Sequence, residues 1–114
     1  MIRRLAALSL LLLAGAAAAQ PQPVSQAERA RIAALSAALG QCHHGVVLRD
    51  AHTRLTTAQI VDRALAGCAR REAPIRAELV RQIGPQRAQG VMQTQRAHWR
   101  QVIAQMVVQA RGGH

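Results

Sequence analysis

The chain has no lysine, no phenylalanine and no tyrosine, a single tryptophan (Trp99) and only five acidic residues. Strands favour aromatic and β-branched side chains, so this scarcity of aromatics argues against a β-sandwich. It also removes the stacking platforms on which single-stranded nucleic acids are held. A core must be assembled from Ala, Leu, Ile, Val and Met. Such a core is thin, and a domain this small gains from a covalent staple. All 15 basic residues are arginine, and the formal net charge is +10. One source of this bias is an arginine-rich surface for phosphates or carboxylates. The other is GC-rich coding, which raises Arg, Ala and Gly together and accounts for the missing lysine. The positive field exists under either reading.

The first residues read as an export signal. Arg3 and Arg4 form a basic start, Leu5 to Leu13 an apolar run, and Ala17-Ala18-Ala19 a cleavage site. The apolar run is too short to span ~30 Å of hydrocarbon. Residues 1–19 are therefore expected to be a cleaved signal peptide, leaving 13 arginines against five acids. Nothing downstream is apolar enough for a transmembrane anchor, and the periplasm is the expected destination.

The remainder reads as all-α: a small three-helix up-down bundle, equivalently a helical hairpin plus a third helix. Residues 20–24 form a flexible lead-in. Ser25 and Glu28 then make a capping box, and Ile32, Leu35, Leu39, Cys42 and Val46 share one face. Gly45 offers a stop at His44, but Val46 keeps the phase and carries helix 1 over about 26–49. Thr56 and Gln59 form a second capping box, with Leu55 and Ile60 as a hydrophobic staple. The stripe Val61, Leu65, Cys68, Glu72, Ile75, Leu79, Ile83 runs through Pro74 without losing phase. The expectation is one helix over 57–83, kinked rather than broken at Pro74. Gly84 and Pro85 separate it from a third helix over 85–110. That helix buries Ala88, Val91, Met92, Trp99, Val102, Ile103, Met106, Val107 and Ala110, with Gln95 and Arg96 leaving a polar gap. The helical domain spans 25–111; Arg111 stands at its fraying edge and 112–114 form a frayed tail.

Two cysteines in an exported chain pair with each other. With a turn near Arg54, Cys42 and Cys68 lie at similar distances on either side and on facing stripes, so a Cys42–Cys68 disulfide is expected. Cys42-His43-His44 resembles a ligand cluster, but adjacent helical residues point about 100° apart. No two of His43, His44, His52, His98 and His114 have i, i+4 spacing. They read as solvated or edge histidines, with no metal site and no cofactor. No catalytic constellation is present: no G-x-S-x-G elbow, no phosphate loop, no H-E-x-x-H. Asp62 and Glu72, flanked by Arg63, Arg70 and Arg71, read as solvated ion pairs. A thin bundle leaves little room for a pocket of ~300 Å³.

Leu55-Thr56-Thr57-Ala58-Gln59 resembles the L-T-x-x-Q motif of the Spy/CpxP family of periplasmic helical chaperones and stress sensors. That resemblance implies export, a helical hairpin and the holding of unfolded clients. It covers five residues in one copy, where the family carries two, and the same residues have a complete explanation as a helix start. The stretch from Ile60 to Cys68, with the earlier cysteine, resembles small exported two-cysteine helical proteins of Gram-negative bacteria. This second likeness covers more of the chain and is preferred. The combined expectation is a non-enzymatic exported interaction or structural protein. Its arginine faces would meet anionic envelope components or other proteins rather than nucleic acid. A Spy-like holdase is the alternative and a metal-binding sensor using His43 and His44 the third reading. Thr56→Ala should lower stability by about 1 kcal/mol in urea unfolding. It should leave any binding activity in place.

Overall fold

A computed structural model describes residues 25–112, and all regular structure among them is helical. The expected signal peptide, the lead-in and the last two residues of the tail lie outside the described residues. Four helices follow in order: α1 Gln26–Asp50, α2 Thr57–Gly67, α3 Ala69–Ile83 and α4 Pro85–Ala110. α1 packs on α2, α3 and α4, and α4 in turn packs on α2 and α3. The bundle is therefore three rods, the middle one made of α2 and α3 nearly end to end.

The local signals act as their chemistry requires. Ser25 caps α1 by accepting from the Glu28 N–H at 3.1 Å. α1 runs through Gly40 and Gly45 to Asp50, because the Leu39, Val46 and Val47 face is fully buried and outweighs ~1 kcal/mol per glycine. Both halves of the second capping box form: the Thr56 hydroxyl accepts from Gln59 N–H at 3.1 Å, and Gln59 Oε1 accepts from Thr56 N–H at 2.9 Å. Ile60 is completely buried and Leu55 is packed against the same core. Gly84 joins α3 to α4 at φ 85°, ψ 162°, a conformation that disfavours any residue with a Cβ, and Pro85 occupies the first turn of α4.

Three expectations need correction. The middle rod is interrupted at Cys68, where one continuous helix was expected; Pro74 sits inside α3 without breaking it. Proline removes the hydrogen bond to Arg70 and crowds its carbonyl. The interruption falls where Gly67 is a weak helix former and Cys68 is tied to α1. There the backbone tightens, with Arg71 N–H donating to Cys68 O at 2.9 Å. Val91, placed on the buried stripe of the third helix, is 37 % exposed. Arg111 does not fray. Its Nε donates to Ala51 O at 2.8 Å, and its Nη2 donates to the carbonyls of Thr53 and Leu55. The end of α4 is thereby fastened to the loop between α1 and α2.

Cys42 and Cys68 are disulfide-bonded, with Cα atoms 5.9 Å apart at a sequence separation of 26. Leu39, Val46, Leu65, Ile75, Met92, Ile103 and Val107 form one continuous core that includes Cys68 and packs against Cys42. In the loop-entropy model a closed loop of this length stabilises by roughly 3.5 kcal/mol. The Cys42→Ser/Cys68→Ser double variant should lose about that much in chemical denaturation, a large share of a small domain's stability.

Candidate functional site

Three polar side chains are buried among the aliphatic ones: His43, Asp50 and Glu72. Glu72 lies on the apolar face of α3 and is 2 % exposed, so it is not the solvated carboxylate that its arginine-rich flanks suggest. It is reached from α4 by Arg96, which donates from Nε to Oε1 at 3.0 Å and from Nη2 to Oε2 at 3.3 Å. This two-point pair fills the polar gap in the third helix's stripe. Each partner explains the other: an ionised carboxylate at this depth requires a charge-assisted fork to be tolerated. Glu72 in turn holds the Arg96 guanidinium above its ordinary range. Asp50, at the end of α1, accepts from Arg63 Nε at 2.8 Å, which ties α1 to α2.

His43 stands on the same side of α1, 2 % exposed, with its ring 6.0 Å from that of Trp99 and inclined by 59°. Its Nε2 is buried without a hydrogen-bond partner. Burial lowers its pKa, and the Glu72 carboxylate opposes that by attraction. His43 is thus part of the core, contrary to its expected place at the edge. The signal was present in the sequence: Leu39, His43, Val46 and Asp50 are spaced 4, 3, 4, which is a helix face. The ligand-like cluster is dispersed by the fold. Cys42 is consumed in the disulfide, His43 turns inward, and His44, His52 and His98 are exposed. Among the described residues, no three of His, Cys, Asp and Glu converge as metal ligands.

The remaining acids act at the surface. Glu78 on α3 bridges Arg31 of α1 at 3.3 Å and pairs with Arg81. It also accepts from Gln82 at 3.1 Å, and these partners pull its pKa down to about 2. Asp62 pairs with Arg100 at 3.0 Å, joining α2 to α4. The ion pairs therefore engage Arg31, Arg63, Arg81, Arg96 and Arg100, while Arg111 serves the loop. Arg29, Arg49, Arg54, Arg70, Arg71, Arg76 and Arg87 are exposed and have no ion pair among the described residues. Composition reveals the arginine excess but not its division, since the pairing partners lie up to 47 residues away.

The bundle also has more relief than its thin core suggests. One open groove of about 530 Å³ lies beside the disulfide, where Gly45 and Gly67 leave space unfilled. Another of about 460 Å³ lies between α3 and α4. No described helix is long and apolar enough to cross a membrane. These features define a small all-helical, disulfide-stapled protein with an arginine-rich exterior. No protein-family model, curated protein or solved structure matches the chain.

The buried histidine fixes a pH response. Its folded pKa lies below the ordinary 6.5, so its contribution is complete above that value. That contribution is lost as pH falls from 6.5 through the folded pKa. The melting temperature should drop between pH 7 and pH 5, and His43→Leu should flatten this part of the profile.

Proposed function

We propose that this is a non-enzymatic exported protein that presents an arginine surface to anionic partners, either envelope phosphates or acidic proteins. The observation that carries the reading is the division of the arginines. The internal ion pairs use the carboxylates of Asp50, Asp62, Glu72 and Glu78 and leave seven exposed guanidiniums without an ion pair among the described residues. Guanidinium is weakly hydrated and matches carboxylate and phosphate oxygens two at a time, which suits it to this role. The disulfide favours an oxidising compartment. Export also makes nucleic acid an unsuitable natural partner, whatever it binds in vitro through charge.

A soluble polyanion such as heparin tests the reading by titration at several salt concentrations. Affinity should fall at least ~10-fold between 50 and 200 mM salt, as expected for contacts between exposed charges. Arg70→Gln/Arg71→Gln should weaken binding and reduce the salt dependence without changing the melting temperature. Absence of binding at low salt would overturn the proposal. So would salt-tolerant suppression of the aggregation of an unrelated client without polyanion binding, which would instead favour the holdase alternative.

A further inference from the structure

The groove between α3 and α4 has two chemically different ends. Near the Gly84 turn its walls are Val80, Pro85 and Ala88, and Val80 is one of the few large aliphatic side chains left substantially exposed, at 38 %. Further along stand Met92, Arg76 and Arg96. At 1.5 Å of rise per residue, Val80 and Ala88 lie ~6 Å from the turn, Arg76 ~12 Å and Arg96 ~18 Å. Apolar surface thus gives way to positive charge along a single trough. Gln89 and Gln93 complete its rim and add donors without charge.

The two arginines differ in state. Arg76 is exposed and has no ion pair among the described residues. Arg96 is held in place by Nε and Nη2 bonds to the buried Glu72, and its side chain remains 48 % exposed. A guanidinium fixed in this way loses little further freedom on binding, and its neighbour supplies uncompensated charge. Met92, unbranched and adaptable, forms the floor between them.

We infer that this trough is a binding site for a single-chain amphiphile with an anionic head. The alkyl chain lies over Val80, Pro85 and Ala88, and the head group meets Arg76 and Arg96. The inference rests on the reading of the unpaired arginines as an anion-facing surface and gives that surface a ligand class. Volume selects the occupant. About 460 Å³ falls within the ~300–1,000 Å³ of small-ligand sites.

Calorimetric titration of the disulfide-intact protein with decyl phosphate, kept below its micelle concentration, tests the assignment. Binding should be 1:1 and at least ~10-fold tighter than binding of inorganic phosphate or of uncharged decyl maltoside. Decanoate in parallel identifies the head group, since tight binding of either anion supports the site. Gln89→Trp, at an exposed rim position, should abolish binding by filling the trough. Arg76→Gln should weaken it ~10-fold, and circular dichroism should confirm that both variants stay folded. Equal binding by the wild type and Gln89→Trp would overturn the inference, as would no preference for the anionic amphiphiles over decyl maltoside. If heparin still binds in either case, the site fails while the proposed function stands. Failure of heparin and of both amphiphiles removes the two together.

Discussion

The Cys42–Cys68 bond is the constraint on which the rest of the bundle depends. It lies where the helical run of the middle rod is interrupted, so it both anchors α1 and ties down the junction of α2 with α3. An aliphatic core with no phenylalanine or tyrosine offers little contact area per residue. Leu39, Leu65 and Ile75 share one core with Cys68, and a covalent tie at that point holds three helices in register at once. The departure from helical geometry at Cys68 is tolerated because the bond, rather than a continuous hydrogen-bond ladder, maintains the alignment there.

Around this staple the interior is more polar than its size would suggest. Glu72 with Arg96, Asp50 with Arg63, and His43 against Trp99 each join a different pair of helices. The two ion pairs each set a buried carboxylate against a half-exposed guanidinium, so they contribute little net stability compared with apolar packing, while a carboxylate that loses its partner is left desolvated and unpaired. Their effect is selective: a helix rotated or slipped by one position would leave a carboxylate alone in the core. In a bundle built from interchangeable Ala, Leu and Val, we take such pairs to discriminate among near-equivalent packings.

Much of the fold was legible in the sequence because its signals are local. Capping boxes, the Gly84-Pro85 junction and 3.6-residue periodicity locate the helices, and two facing stripes bring the cysteines together. The candidate surface was less legible. Whether Glu72 is solvated or buried depends on Arg96, 24 residues away on another helix. Sequence-adjacent arginines pointed the wrong way because they lie on other faces of α3. The break at Cys68 was hidden for a related reason: Pro74 is the louder local signal, whereas Cys68 is tied to a residue on α1 that lies 26 positions earlier. Arg111 looked like a loose end until the loop carbonyls that it satisfies were in view.

That last contact sets an order of assembly. Cys42 and Cys68 both precede α4, so the two halves of the disulfide lie within residues 25–83 and need nothing from the last helix to meet. The hairpin so formed is incomplete in two respects. Glu72 has no counter-ion until Arg96 arrives, and the carbonyls of Ala51, Thr53 and Leu55 wait for Arg111. The last helix therefore acts as a latch, and Arg111 just beyond its end fastens it to the loop between α1 and α2.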